Sequence, residues 1–191
     1  MKVILASASP RRRELIENLK IDFEAKTADC EEEVIPGEHP RDTVMRLSLT
    51  KAQWIAERES EPAVVIGADT VVAIDDKILG KPSDEAEAAE MLRTLSGRTH
   101  TVYTGIAVIG GGKTVSEYVA TDVTFYKLSE RQIENYISTG EPMDKAGAYG
   151  IQKYGSLLVE GIHGDYFNVV GLPVSRLSRI LSENFGADTL I

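Results

Sequence analysis

The sequence lacks most features that would tie it to an oxidising compartment, a membrane or a polyanion. Only one of its 191 residues is a cysteine, so no disulfide can form within the chain. No apolar run approaches the roughly 20 residues that span a bilayer, and the N-terminus opens with only about five apolar residues, too few for the core of a signal peptide. Basic residues are outnumbered by acidic ones, 21 to 30, which gives a net charge of −9. We therefore expect a cytoplasmic protein that binds neither a nucleic acid polymer nor a membrane, since both reward a basic surface.

The composition that remains is that of an ordinary globular protein. Apolar residues make up 42% and charged residues 27%, enough to bury one substantial core. We expect a single domain over residues 1–191, without an obvious linker or repeat. The spacing of apolar residues predicts an α/β fold in which an elongated mixed sheet is flanked by helices.

Individual elements follow from the same periodicity and from helix-start signals. Ser9 and Pro10 supply an N-cap and a first-turn residue, and Ser129 with Gln132 forms a capping box. Strands are predicted at 2–6, 22–26, 63–67, 70–74, 100–109, 114–126 and 157–162, and helices from residue 10 and at about 40–60, 83–95, 129–140 and 173–185.

The segment Gly112-Lys113-Thr114 looks superficially like the end of a phosphate-binding loop. That motif needs a glycine five residues before Gly112, where this chain has Ala107, and it must lead into a helix. The residues after Thr114 alternate like a strand. We therefore predict a hairpin turn here.

A stronger anion-binding signal joins the first strand to the first helix. Ser7 and Ser9 precede three arginines, Arg11, Arg12 and Arg13. Free N–H groups at a helix start, hydroxyls and guanidinium forks all suit phosphate oxygens. Solvated arginines after an N-cap are the alternative, but three cations at a helix start are unfavourable with its dipole unless an anion offsets them.

Acidic and basic residues elsewhere could complete such a site. Asp69 lies between two apolar runs, where a carboxylate needs a partner or a cation, although it could also hydrogen-bond a tight bend made by Gly67. The run Glu31–Glu33 could bring further carboxylates, but such runs are more often simply solvated. Lys51 shares a helix face with Leu47 and Ile55, so it either reaches a cleft or extends past the core.

Two loops offer further candidates. Lys81 sits in the turn Gly80–Pro82, which would fix the direction of its amine, although a surface turn explains the same residues. The segment Asp144–Gln152 is rich in glycine, and the Gln152 amide offers the donor and acceptor that suit a nucleobase edge. It could also be a plain loop. The three histidines lack metal-ligand spacing, and no role is assigned to them.

Taken together, these segments closely resemble the Maf family of nucleoside triphosphate pyrophosphatases, the septum-formation proteins. Each segment is weak alone, but their joint order over nearly the whole chain is very specific. They are Leu5–Arg12, Glu31–Glu32, Lys51–Ala52, Gly67–Thr70, Gly80–Pro82, Leu95–Gly97, Asp144–Gln152, Gly164–Tyr166 and Gly171–Pro173.

The resemblance implies a fold related to the inosine triphosphate pyrophosphatases, with two lobes around a nucleotide cleft and often a homodimer. It implies hydrolysis of a nucleoside triphosphate to the monophosphate and pyrophosphate with a divalent cation such as Mg²⁺, Mn²⁺ or Co²⁺. Thr70 after Asp69, together with the run Asp144–Gln152, is similar to the subgroup that acts on dTTP and UTP, and modified uridine triphosphates are further candidate substrates. By the same resemblance Asp69 is the catalytic base, and Arg11, Thr70 and Gln152 take part in base choice.

The chemistry of the candidate residues agrees with this activity. Cleavage between the α and β phosphates needs charge neutralisation and an oriented water. Charge neutralisation can come from Arg11, Arg12, Lys51 and Lys81. The water can be oriented by Asp69 and Glu32, as ligands of a metal that shares the substrate's phosphate oxygens. Ser7 and Ser9 would add hydroxyl contacts to the phosphates.

Two other classes of function stay open at this stage. A nucleotide-sensing protein of cell division would bind the same ligand without sustained turnover. A nucleic-acid binder is disfavoured by the charge of the chain, and a strong salt-dependent affinity for RNA would revive it.

Overall fold

The computed structural model describes residues 1–189 of the chain. Within them a seven-stranded mixed sheet is flanked by helices, as the periodicity predicts. The strands are β1 (Lys2–Ala6), β2 (Glu24–Lys26), β3 (Ala63–Ile74), β4 (Lys77–Leu79), β5 (Thr99–Gly110), β6 (Lys113–Phe125) and β7 (Val159–His163). The helices are α1 (Pro10–Ile16), α2 (Pro40–Ala56), α3 (Glu85–Leu95), α4 (Glu130–Ile137), α5 (Tyr166–Val170) and α6 (Val174–Phe185). Short 3-10 helices cover Glu17–Leu19, Glu141–Asp144, Ala146–Ala148 and Lys153–Leu158.

The order of the strands leaves a gap beside β3. The sheet runs β2-β1-β3-β5-β6-β7, with β1 parallel to β2 and β3 and the other pairs antiparallel. Along its second side β3 pairs with β1 as far as Gly67 and with β4 from Val72 onward. No strand within residues 1–189 pairs with that side over residues 68–71, so this stretch of β3 borders an open space at the end of β1.

β3 is a single strand of 12 residues, so the predicted break between two strands is wrong. Asp69 pairs with Gly105 in the middle of the ladder with β5, and Gly67 makes no bend. Gly67 instead allows α2 to lie close to the sheet, since a Cβ there would stand 2.1 Å from the carbonyl oxygen of Ser48. A Cβ at Gly105 would likewise stand 2.1 Å from the carbonyl oxygen of Val44. This close approach brings the middle of α2 against β3.

The core lies on both faces of the sheet, and adjacent residues of β3 face opposite sides. Val65 joins the smaller cluster, which packs under α2, whereas Ile66 joins the larger cluster beneath the other helices. By the same alternation Asp69 faces α2 and Thr70 faces the side of α1. Two neighbouring residues thereby serve two separate groups of side chains.

The predicted start signals and the glycine hairpin are confirmed. The Ser9 hydroxyl accepts a hydrogen bond from the Arg12 amide, and Ser129 caps α4 with the predicted capping box. Gly111 and Gly112 form the two-residue turn of the β5–β6 hairpin with φ of 56° and 77°, as such turns require. No helix of residues 1–189 combines the length and apolar character needed to cross a membrane.

Several boundaries differ from the prediction. Helix α2 ends at Ala56 rather than near residue 60, and α3 begins at Glu85 because Asp84 caps it. The residues before Val159 form 3-10 turns, so β7 starts later than predicted. Strand β4 and helix α5 were not predicted, since elements of three and five residues carry too little periodicity to detect.

Candidate active site

The gap beside β3 opens into a cleft of about 930 Å³. One wall comes from the end of β1, the start of α1 and the open stretch of β3 with the α2 residue that faces it, and the other from the 3-10 turns that follow α4. All ten of the candidate residues line it: Ser7, Ser9, Arg11, Arg12, Glu32, Lys51, Asp69, Thr70, Lys81 and Gln152. Residues separated by more than 140 positions in the sequence therefore share one cavity.

Lys51 and Asp69 form a buried ion pair at the base of the cleft. The Lys51 Nζ lies 2.6 Å from Asp69 Oδ1 and 2.7 Å from Glu32 Oε2. Lys51 and Asp69 are each 7% exposed, whereas the Glu32 side chain is 53% exposed. Lys51 thus reaches into the cleft rather than past the core, and its ammonium bridges two carboxylates. Removing Lys51 would take away the partner that offsets the buried charge of Asp69.

The two carboxylates fit a partial metal site. No group of three or more His, Cys, Asp or Glu residues within the described part of the chain is arranged to hold a metal ion. Mg²⁺ usually takes only one or two carboxylates and completes its shell with water and substrate phosphates. Lys51 contacts one oxygen of Asp69 and one of Glu32, which leaves the second oxygen of each for such a cation.

Arg12 is held in place on the other face of β3. Its Nε donates to the carbonyl oxygen of Gly171 at 2.8 Å, one terminal nitrogen donates to Thr70 Oγ1 at 3.0 Å, and the other lies 3.5 Å from Ser7 Oγ. Burial lowers the pKa of Arg12, and nearby Asp69 and Glu32 oppose that effect. A guanidinium stays protonated in any case, so Arg12 is a fixed positive charge.

Thr70 belongs to the Arg12 group through its hydroxyl. Besides Arg12, this hydroxyl lies 2.9 Å from Thr104 Oγ1, and Thr104 donates to the carbonyl oxygen of Asn168 at 3.0 Å. The buried Asn168 in turn donates to the carbonyl oxygen of Val102 at 3.0 Å. The chain of hydrogen bonds ties β3, β5 and α5 together behind Arg12. The Thr70 side chain therefore contacts a phosphate-binding candidate, whereas the resemblance assigns Thr70 to base choice.

Glu32 is carried by a loop that is tied to α2, so the acidic run is more than a solvated surface. Arg46 on α2 donates to the carbonyl oxygen of Glu33 at 2.9 Å and to both carboxylate oxygens of Glu38 at 2.9 and 2.6 Å. The hydrogen bonds from Arg46 lower the pKa of Glu38 below its usual value. The loop is thus attached to α2 at Glu32 by Lys51 and after Glu32 by Arg46.

The Lys81 turn is tied to the loop that carries Gln152. The Gly147 amide donates to the carbonyl oxygen of Gly80 at 2.9 Å. Gly147 has φ of 69°, and a Cβ there would lie 2.9 Å from a methyl group of Val72. A glycine is therefore needed for the loop to pack on β3 beside Lys81.

Arg11 faces the same loop across the cleft. A terminal nitrogen of Arg11 lies 3.6 Å from Asp144 Oδ2, and Asp144 also pairs with the adjacent Lys145. Gln152 is exposed and lines the cleft a few residues further on. Arg11 on α1 thus contacts the wall that carries Gln152, and the resemblance links both residues to base choice.

Sequence reasoning missed the residues that support this wall from behind. Tyr149 lines the cleft, and its hydroxyl lies 2.7 Å from Nε2 of the buried His100. The rings of His100, Tyr149 and Phe125 meet edge to face with centroids 4.7 to 5.3 Å apart. Burial lowers the pKa of His100 to about 4, so it is neutral at physiological pH. The sequence signal for His100 was its place among the inward-facing residues of a strand. Such a pattern predicts that the side chain is buried, but it does not predict which residue it contacts.

Comparisons with known proteins agree with this geometry. The Maf-like protein family matches residues 2–184. The chain is 54% identical over 182 residues to a dTTP/UTP pyrophosphatase of Bacillus mycoides (strain KBAB4), and 53% identical to one of Bacillus cereus (strain AH187), with 95% of each chain covered in both cases. A solved structure of a HAM1 protein from Coxiella burnetii superimposes with a TM-score of 0.55 at 15% identity, covering 96% of this chain and 99% of that one. That likeness concerns the fold alone.

Proposed function

Since this chain belongs to the Maf-like protein family, we propose that it is a nucleoside triphosphate pyrophosphatase that takes dTTP and UTP. It hydrolyses them to the nucleoside monophosphate and pyrophosphate. The observation that carries the proposal is the Asp69–Lys51–Glu32 cluster beside the fixed Arg12, all lining one cleft. Carboxylates that can orient water and cations that can bind phosphates lie together there.

In this reaction Asp69 accepts a proton from the attacking water. The oxygen of that water bonds to the α-phosphorus, the bond to the oxygen bridging the α and β phosphates breaks, and pyrophosphate leaves. Lys51 holds the Asp69 carboxylate in position through its 2.6 Å contact. Arg12 and Lys81 bind the phosphate chain, where their charges stabilise the transition state more than the ground state.

The hydroxyls and the cation complete the phosphate side. Ser7 and Ser9 stand at the start of α1, where backbone N–H groups attract anions. A divalent cation held by Glu32 and Asp69 would, when bound, neutralise charge on the phosphate chain. The choice among Mg²⁺, Mn²⁺ and Co²⁺, a cytoplasmic location and a homodimer stay predictions.

The base is selected at the other wall of the cleft. A thymine or uracil edge presents two carbonyl acceptors around one N–H donor, and the Gln152 amide can meet an acceptor and a donor at once. Arg11 would help place the nucleotide from α1. The resemblance also assigns Thr70 to base choice, and its hydroxyl accepts a hydrogen bond from Arg12 at 3.0 Å.

One assay tests the whole proposal. Purified protein is given canonical and modified nucleoside triphosphates with each of several divalent cations, and monophosphate and pyrophosphate are both quantified. We expect equal amounts of both products, fastest with dTTP and UTP. Binding without sustained pyrophosphate release would instead favour a nucleotide-sensing protein, and release of inorganic phosphate alone would place the cleaved bond elsewhere.

A further inference from the structure

The loop that carries Gln152 closes on itself. A Cβ at Gly155 would lie 2.0 Å from the carbonyl oxygen of Gly150, so the two ends of the loop 150–155 are in backbone contact. Gln152 stands between these ends. Lys153, which follows it, has φ of 50°, a left-handed conformation that side chains disfavour. A loop with such a backbone needs external support to keep one shape.

Glu141 supplies that support at the C-terminal end of the loop. Its Oε1 accepts hydrogen bonds from the Gly155 amide at 3.1 Å and from the Tyr136 hydroxyl at 3.0 Å. Its Oε2 accepts from the Tyr154 amide at 3.3 Å. Hydrogen bonds to a carboxylate are stronger than those to a neutral acceptor, so one side chain holds two consecutive backbone amides.

Tyr136 supports the loop at its N-terminal end. This residue is buried on α4, and its hydroxyl oxygen accepts from the Gly150 amide at 3.2 Å. An N–H group can only donate, so the hydroxyl proton of Tyr136 is directed to Glu141. Burial raises the pKa of Tyr136 above its usual value, which keeps that proton in place at neutral pH.

We infer that Glu141 and Tyr136 are positioning residues for base selection, which hold the loop 150–155 so that the Gln152 amide meets the pyrimidine edge. The inference rests on the proposed function, in which Gln152 reads the base. Hydrogen bonds weaken steeply outside a narrow range of distance and angle. A loosened loop should therefore lose discrimination between bases, while the phosphate contact of Arg12 and the Lys51–Asp69 ion pair stay intact.

The primary test is Glu141→Gln, which keeps the shape of the side chain but replaces one acceptor oxygen with a donor NH₂ group. The measured quantity is the ratio of kcat/KM for UTP to that for CTP, whose ring offers an acceptor and an amine in place of the donor and a carbonyl of uracil. We expect this ratio to fall about tenfold, because a backbone amide is left unpaired and the loop shifts. Glu134→Gln removes an exposed carboxylate on α4 and is the matched control, with the ratio unchanged.

A double variant separates positioning from direct contact with the nucleotide. In a Gln152→Ala background, adding Glu141→Gln should change the ratio by less than about twofold, since no amide remains to be positioned. A further fall in that background, or an equal loss of kcat/KM for UTP and CTP in the single variant, overturns the inference. Tyr136→Phe, which keeps the ring, should lower the ratio in the same direction by about threefold.

Amide hydrogen exchange provides a readout that needs no substrate. In Glu141→Gln the amides of Gly150, Tyr154 and Gly155 should exchange about tenfold faster or more, while those of β5 stay as protected as in the parent chain. Unchanged exchange at these three amides overturns the anchoring. Loss of protection with full preference for UTP overturns this inference alone, whereas a parent chain without that preference overturns the base selection in the proposed function.

Discussion

The two walls of the cleft are built from different kinds of structure. On the phosphate side Asp69 lies in the middle of a 12-residue strand and Lys51 in the middle of α2, and the two are almost fully buried. On the base side Gln152 is exposed on a loop of 3-10 turns. The first wall is fixed by an ion pair between regular elements, and the second by side chains that hold backbone amides.

In the proposed function, this difference separates the chemistry of the reaction from the choice of base. Groups that act on the phosphates must stay in place for every substrate, and strands and helices hold a side chain more firmly than loops do. A loop can change its sequence at less cost to the fold, which suits a region that decides specificity. Variants on the phosphate side should therefore lower the activity towards all substrates together. Variants on the base side should change the order of preference among the substrates.

The largest effect is expected from Asp69→Asn, which keeps the shape of the side chain and removes the base. Turnover of dTTP and UTP should fall by at least about 10²-fold, because the neutral amide of asparagine cannot take the proton. The measurement is steady-state pyrophosphate release, with circular dichroism as the check on folding. Asp122→Asn is the matched control, an exposed strand aspartate that accepts a hydrogen bond from Thr101 at 2.8 Å. Near-normal turnover in a folded Asp69→Asn chain would falsify the assignment.

Lys81→Ala should have the next largest effect. We expect kcat/KM to fall by about 30-fold for dTTP, UTP and CTP alike, because we propose that the amine binds the phosphates, which all three share. Arg12→Ala and Lys51→Ala should likewise affect all three substrates together. Lys77→Ala, an exposed lysine on β4, serves as the control. An effect confined to one base would contradict a phosphate role.

Gln152→Ala should have a different effect, because it should change the preference among substrates more than it lowers the overall activity. The ratio of kcat/KM for UTP to that for CTP should fall about tenfold, which corresponds to a buried polar group left unpaired at roughly 1 to 3 kcal/mol. Residual activity should persist because Asp69 and the phosphate contacts are untouched. The control is Gln53→Ala on the exposed face of α2. If both rates drop equally, Gln152 has a structural or catalytic role instead.

For the phosphate side, the sequence predicts the site residues better than it predicts the strand that carries Asp69. The strand-to-helix connection with Ser9 and three arginines, and the inward face of α2, were both readable from spacing. The continuity of β3 could not be predicted, because a carboxylate between two apolar runs indicates a break between two strands. Its charge is offset by Lys51, 18 residues away on another element, and such a tertiary partner has no local signature.

For the base side, the sequence predicts the ligand-binding loop but not the side chains that hold this loop in place. Glycines and Gln152 marked a ligand-binding loop, yet Glu141 and Tyr136 gave no signal because their partners are backbone amides, which every residue carries. The anchoring of the acidic loop was hidden for a similar reason. Arg46 contacts the carbonyl oxygen of Glu33, and a pairing of this kind depends on the path of the loop rather than on residue types.

Arg46→Met tests that anchoring and should give the smallest effect. The substitution keeps an unbranched aliphatic stem and removes the contacts with Glu33 and Glu38, so the loop that carries Glu32 loses one of its anchors on α2. We expect kcat/KM to fall about threefold for every substrate, because Glu32 would be less well placed but still paired. Arg41→Met is the matched control, since Arg41 is exposed on the same helix and its side chain contacts only the adjacent Asp42 among residues 1–189. Because Arg46 belongs to the phosphate wall, the ratio of UTP to CTP should stay constant. A change in that ratio, or equal losses from both arginines, would contradict the division of the cleft into a catalytic wall and a base-selecting wall.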